Sequence, residues 1–229
     1  MGSTRLPGKV MREIAGRPMI DWVVGRTRRI PNLDRVVVAT SVLEREAPLV
    51  EHLNEEGIPV VRGPEEDVLA RYVEAMETHE ADAVVRLTGD CPLLMSEVSE
   101  RVIQAFLDKE CDYASNTLER TYPRGLDTEV LSPDALRRAD AEATEAPDRE
   151  HVTRYIRQHP DRFSLRSVTA GQDRSDLRWT VDEEADLTLV RKIYSEMDGM
   201  VFGYHDVLQL LEAHPAWTEI NRGVEQKAC

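Results

Sequence analysis

The stretch "MGSTRLPGK" (1–9) gathers two glycines, an arginine and a lysine into one short polar segment. Gly2 and Gly8 let a backbone come close to a ligand, and free amides, including those of Ser3 and Thr4, can point at phosphate oxygens. Arg5 and Lys9 supply countercharge. The spacing is not that of a Walker A loop. Five residues separate Gly2 from Gly8 where four are required, and Val10 stands where that loop needs Ser or Thr. An ordinary basic N-terminal tail is the alternative on this stretch alone. A phosphate loop normally hangs from the carboxyl end of a buried parallel strand, yet only Met1 precedes Gly2 here. The expectation is a fold whose first strand is missing from this chain. The loop from Met1 to Lys9 would then border a slot in the sheet, with the strands ending at Thr40 and Gly89 nearest to it.

Downstream, Val- and Ile-rich runs alternate with helical patterns. Residues 35–41 read as a strand, 42–57 as a helix stopped by Gly57, and 58–63 as the next strand. Residues 66–80 form an amphipathic helix with Val68, Leu69, Tyr72, Val73 and Met76 on one stripe. Residues 82–90 make a strand with the polar tip "TGD", and 96–110 a helix with Ser96 as its N-cap. After residue 110 the rhythm loosens. Strands are expected at 112–116, 126–132, 162–170 and 177–181, with helices at 133–143 and 148–159 and two more closing the chain. Strands alternating with helices of this length predict a mostly parallel α/β sheet, in which ligands bind beyond the carboxyl ends of the strands. With no Gly/Ser linker or repeat, residues 1–229 read as one domain carrying a middle insertion at about 112–170, a place for acceptor or dimer contacts.

Several residues can carry chemistry at those strand ends. In "LTGDCPLL" (87–94), Asp90 sits at a tip, where a carboxylate suits a Mg²⁺ that bridges phosphates; a simple turn Asp is the alternative. "RWTVDEEADL" (178–187) repeats the arrangement with Asp182, which could equally be a helix N-cap. In "YPRGLDTEV" (122–130), Asp127 and Glu129 lie two apart and share a face if the segment is a strand. They would accept hydrogen bonds from sugar hydroxyls, or simply face solvent. "REHVTRYI" (149–156) offers His151 near a helix start, as a ligand-binding or a surface residue.

Composition narrows the class. The formal charge is −14, with 43 acidic residues, which argues against general binding to nucleic acid or anionic membranes. A well-solvated surface accounts for much of that charge. Of 29 basic residues only Lys9, Lys109, Lys192 and Lys227 are lysines; this fits a halophile-like adaptation to high salt, or GC-rich coding. Cys91, Cys111 and Cys229 have no metal-ligand spacing, so reduced thiols are expected. There is no apolar leader and no long apolar run, so a cytoplasmic protein is expected.

Together these motifs resemble the cytidylyltransferases that make CMP-activated acidic sugars, nearest to the spore-coat polysaccharide branch and related to the acylneuraminate and 3-deoxy-manno-octulosonate enzymes. The likeness is carried in order by "GSTRLPGKV", "VVVATS", "RGPEEDVLARY", "VVRLTGDCPLL", "DYASN", "YPRGLDTEV", "REHVTRYI" and "RWTVDEEADL". It implies a Rossmann-like nucleotidyltransferase fold, commonly a homodimer, and transfer of CMP from CTP to a sugar acid with release of pyrophosphate. It casts Arg5 and Lys9 as phosphate ligands and Asp90 and Asp182 as the Mg²⁺ carboxylates. Arg86, Thr88 and Gly89 would line the nucleotide side, and Gly125, Asp127, Glu129 and His151 the acceptor side. Two rival readings remain at this point: a metal-dependent glycosyltransferase, for which "TGDCP" offers one Asp instead of an Asp-x-Asp pair, and a non-catalytic nucleotide-binding protein.

Overall fold

Leu6, 5% exposed, is the anchor by which the first residues enter the core, where it meets Ile14, Met19 and Trp22. The computed structural model describes residues 1–108 and 111–226. Gly8 takes a left-handed φ of 66° and opens a 3₁₀ turn over Lys9–Met11. A small hairpin follows, β1 (Glu13–Ile14) and β2 (Arg17–Pro18), reversed through Ala15 and Gly16 at φ 45° and 77°. Two consecutive positive φ angles make the turn whose twist suits a two-residue hairpin. Helix α1 (Met19–Thr27) then buries Ile20, Val23 and Val24 against α2 (Ala47–Glu55).

The central strands lie close to their expected places, and shorter. β3 (Val38–Ser41) runs parallel to β4 (Val60–Gly63) in the register Val38↔Val60 to Ser41↔Gly63. Between them the expected helix begins as a 3₁₀ turn, Glu44–Glu46, before α2, and Gly57 at φ 64° ends it. Helix α3 (Val68–Thr78) is capped by Asp67, whose Oδ1 accepts from the Ala70 amide at 2.9 Å. Its expected stripe holds: Leu69 and Met76 are buried, with Val68, Tyr72 and Val73 packed beside them.

β5 (Val84–Arg86) leads through the "TGD" tip to α4 (Ser96–Leu107). Here the expected cap is corrected. Met95 is the N-cap residue and Ser96 the first helical one, making no capping bond. Buried Leu94 and Met95 fix the entry of the helix by packing, without a side-chain cap. The expected end of this helix, at Lys109 and Glu110, lies outside the described residues, as do Lys227 and Cys229.

The stretch 112–170 contributes β6 (Tyr113–Ser115), β7 (Glu129–Leu131), α5 (Pro133–Glu142), α6 (Ala146–Glu150), α7 (Arg154–Gln158) and β8 (Leu165–Ser167). Its strands are built into the main sheet, whose order is β5-β7-β6-β8. β7 runs antiparallel to both β5 and β6, and β6 parallel to β8. β5, β6 and β8 therefore point one way and β7 alone opposes them. The single helix expected over 148–159 is broken. Val152, fully buried, turns through φ 44° between α6 and α7 and delivers the Thr153 hydroxyl to Glu129 Oε1 at 2.6 Å. Residues 177–181 are not a strand either. Among the described residues one parallel bridge, Arg124↔Arg178, forms there, through Arg124 N–H to the Leu177 carbonyl at 3.0 Å and Trp179 N–H to the Arg124 carbonyl at 2.7 Å, and the Val181 amide bonds to the Asp90 carbonyl at 2.8 Å. The chain continues through α8 (Glu184–Glu196), α9 (Tyr204–Ala213) and a 3₁₀ turn at Pro215–Trp217.

β3 and β5 fall in separate sheets. Among the described residues β3 pairs only with β4, and β5 only with β7. The first residues border that division. The Met1 amino group donates to Glu46 beyond β3 at 3.1 Å, and Gly89 beyond β5 faces Val10 and Ile20. No helix among the described residues is long and apolar enough to cross a membrane.

Candidate active site

The opening loop closes on itself. The Ser3 hydroxyl accepts from the Leu6 amide at 3.2 Å, Gly8 N–H donates to the Met1 carbonyl at 3.2 Å, and Lys9 N–H to the Leu6 carbonyl at 3.2 Å. With buried Leu6, these bonds hold the loop through its own turn. The amides of Gly2, Ser3, Thr4 and Arg5 make no such bond among the described residues. They remain as donors for an anion. Gly2 also packs against the Arg45 guanidinium, which a Cβ there would meet at 2.9 Å.

Lys9 is where the three distant segments meet. Its Nζ donates to Asp90 Oδ2 at 2.8 Å, to Asp182 Oδ1 at 2.9 Å and to the Val181 carbonyl at 2.9 Å. Burial works to lower the Lys9 pKa, but Asp90 and Asp182 outweigh it and the ammonium is held above its ordinary value. Burial likewise works to raise Asp182, but Lys9, Arg178 and Arg5 hold its carboxylate below the usual range. Arg5 Nη2 lies 3.0 Å from Asp182 Oδ2, and its Nη1 donates to Glu183 at 3.2 Å. The two aspartate tips are locked together through the backbone, since the Asp90 carbonyl accepts from Val181 N–H and from the Thr180 hydroxyl at 3.2 Å. Asp182 is not a helix cap. That position belongs to Glu183, in a capping box with Asp186.

The oxygens converging on Lys9 Nζ are two carboxylates and a carbonyl, a hard donor set of the kind Mg²⁺ takes. Among the described residues no group of three or more His, Cys, Asp or Glu forms a metal cage. A magnesium ion bound through Asp90 and Asp182 would therefore draw its other ligands from water and substrate phosphate, as it usually does.

Other expected site residues fall into separate groups. Arg86 reaches Glu129 as an ion pair, and Glu129 also accepts from the Tyr113 and Thr153 hydroxyls at 2.5 and 2.6 Å. Burial acts to raise the Glu129 pKa, but Arg86 and the two hydroxyls pull it below the ordinary value. Asp127, just before β7, is gripped by Arg120 in a bidentate pair at 2.6 and 2.7 Å. Gly125 takes φ 103°, and a Cβ there would lie 2.5 Å from the Thr180 amide, so glycine is required for the close approach to the segment carrying Asp182. The Thr88 hydroxyl lies 3.1 Å from the sulfur of buried Cys91. The His151 side chain forms no hydrogen bond among the described residues, although its carbonyl accepts from Arg154 N–H at 3.2 Å.

Sequence reasoning missed the residues that hold Asp182. Asp186, fully buried, accepts from the amides of Asp182 and Glu183 at 2.9 and 3.0 Å and from Arg178 Nε at 2.9 Å. Arg178 then donates through Nη2 to Asp182 Oδ2 at 2.6 Å. An Arg four residues before Asp182 and an Asp four after it were the available signal.

Two aspartates, one beyond β5 and one beyond the 177–181 segment, meet a glycine-rich loop through Lys9, an arrangement suited to a nucleotidyltransferase. The family comparison makes this specific: a cytidylyltransferase family model matches residues 1–201, and the chain belongs to the cytidylyltransferase family. It is 34% identical to the spore coat polysaccharide biosynthesis protein SpsF of Bacillus subtilis over 203 residues, covering 86% of this chain and 83% of that one. It is 38% identical over 96 residues to a 3-deoxy-manno-octulosonate cytidylyltransferase of Acidobacterium capsulatum, covering 41% and 38%. The solved structure of a cytidylyltransferase from Leptospira borgpetersenii matches with a TM-score of 0.91 at 27% identity, covering 100% of this chain and 95% of that one.

Proposed function

We propose that this enzyme transfers CMP from CTP to an acidic sugar or related acceptor and releases pyrophosphate, with Mg²⁺ as cofactor, for surface polysaccharide or glycan synthesis. The observation that carries the reading is the convergence of Lys9 with Asp90 and Asp182 beneath a loop of unbonded amides. An acceptor oxygen attacks the α-phosphorus, the bond from that phosphorus to the β-phosphate oxygen breaks, and pyrophosphate leaves. The protein's task is alignment and charge neutralisation. The amides of Gly2 to Arg5 and the Arg5 guanidinium grip the triphosphate. Lys9 turns part of its bonding from the carboxylates to the phosphate oxygens, where negative charge grows as pyrophosphate departs. Asp90 and Asp182 would hold Mg²⁺, which when bound neutralises and orients the phosphates.

The acceptor side draws support from the region around Glu129. The Arg157 side chain makes no hydrogen bond or ion pair among the described residues, its Nε is buried, and its charge is felt by Glu129. A guanidinium left in that state suits an acidic acceptor. A nucleotide-by-acceptor screen reading pyrophosphate, run in Mg²⁺ at low and high salt, tests the reading. CTP with a 3-deoxy or nonulosonic sugar acid should give turnover. Failure of every CTP pairing would defeat it.

A further inference from the structure

The family match ends at residue 201, yet the chain beyond it returns to the Lys9 site. After α9 and the turn at Pro215–Trp217, Ile220 packs against the main core and the Val224 amide closes a turn onto the Asn221 carbonyl at 3.0 Å. Asn221, 4% exposed, donates from Nδ2 to Asp186 Oδ1 at 2.8 Å and to the Arg178 carbonyl at 2.9 Å. Gln226 Oε1 accepts from Arg178 Nη1 at 2.5 Å, and the Glu225 carbonyl accepts from Arg5 Nη1 at 3.1 Å. The same six-residue segment thus touches both guanidinium groups that bear on Asp182 Oδ2.

We propose that residues 221–226 form a strap that completes the nucleotide site, with Asn221 as a positioning residue acting on Asp182 through Asp186 and Arg178. The inference rests on the nucleotide reading given above.

The physical case lies in which hydrogen-bonding groups remain free. Arginine side chains lose rotamer freedom when fixed, and each additional partner spreads that cost over more bonds. Arg178 spends Nε on Asp186, Nη2 on Asp182 and Nη1 on the strap. Its fork can then hold Asp182 in one orientation, with Oδ2 occupied and Oδ1 facing Lys9. Asn221 is suited to its place because a neutral amide satisfies both a carbonyl and a carboxylate. A carboxylate there would repel Asp186, and an apolar residue would leave Asp186 short of one donor in a buried setting.

The test uses the full chain with Asn221→Ala and Gln226→Ala, the second a surface change that leaves the fold intact. Two quantities are read: the Mg²⁺ concentration for half-maximal pyrophosphate release, and the affinity for CTP with Mg²⁺ by calorimetry. Asn221→Ala should raise the Mg²⁺ requirement about tenfold, the low end of the ~10–100-fold range for residues that orient a metal ligand. Gln226→Ala should shift it less in the same direction, with an unchanged melting temperature. A merely structural Asn221 would lower the melting temperature and leave the Mg²⁺ requirement alone, which would overturn the proposal. Absence of turnover in the unmodified enzyme would count against the reaction, while calorimetry would still read the strap. CTP affinity equal in all three proteins would then refute it.

Discussion

Three oxygens hold the Lys9 ammonium in place, so replacing it should be felt in binding and chemistry together. Lys9→Ala is expected to raise the KM for CTP and to slow turnover, because charge on the departing pyrophosphate is larger in the transition state than in bound CTP. Normal kinetics in that variant would remove Lys9 from the site. Asp90→Asn should lower turnover by orders of magnitude. Its melting temperature should stay near that of the parent, since Lys9 keeps Asp182 as a partner and Asp90 is partly solvated. Glu129 differs, being a buried charge in an ion pair. Glu129→Gln strands Arg86 and should cost about 3–5 kcal/mol at neutral pH. The pH dependence follows from the lowered carboxyl pKa. Below the ordinary value of 4.5 the unfolded chain takes up this proton before the folded one does. The stabilisation is therefore complete above that pH and is lost as pH falls through the folded-state value. Melting curves from pH 7 to 3 should show a steep acid decline in the parent and a shallower one in Glu129→Gln. Parallel curves would contradict this.

Among the elements, the segment 177–182 matters most and is the least regular. It carries Asp182 with one bridge to Arg124 and otherwise relies on isolated backbone bonds. Gly125 is the point where that segment is pressed closest, at φ 103°. Gly125→Ala combines an unfavourable φ, which costs about 1–3 kcal/mol, with a backbone clash that must push Thr180 away. Stability and turnover should fall together, and Mg²⁺ should not restore either. An Ala variant that melts normally but is inactive would point to direct acceptor contact at Gly125 instead. The break between α6 and α7 has a similar logic, trading one continuous helix for a Thr153 hydroxyl on Glu129.

At the scale of the whole molecule, the abundant arginines make contacts that lysines do not. Arg149 bridges Asp67 at the start of α3 and Asp140 in α5, both at 2.7 Å, and Arg120 grips Asp127 with both nitrogens. A lysine cannot make such forked contacts. Those local pairs do not cancel the net charge of −14, which still repels itself over the surface. Raising salt from about 0.1 M to 1 M shortens the Debye length from ~10 Å to ~3 Å and screens that repulsion. The melting temperature should therefore rise across the range. A flat or falling trend would leave forked pairing, or coding bias, to explain the scarcity of lysine.

The alternation of strands and helices and the stripe on α3 were legible in the sequence, because each rests on local periodicity, and short motifs singled out Lys9, Asp90 and Asp182, which the structure brings together. The hairpin and α1 between residues 13 and 27 carry little local signal beyond Ala15-Gly16, which marks a tight turn. Nothing local disclosed the reversal of β7, since strand direction depends on which neighbours it finds. Side-chain pattern cannot show that 177–181 bonds to loops and not to a ladder. Ser96 looked like a cap because caps have a composition, but buried Leu94 and Met95 set the helix entry. By itself the sequence determined the class of fold and, through the "TGD" motif, the polar tip beyond β5. Tertiary structure alone decided that Asp90 and Asp182 share one ammonium, and that Arg178, Asp186 and Asn221 hold Asp182. Those contacts join residues up to 173 positions apart, and no pattern along the chain encodes a distance that only packing creates.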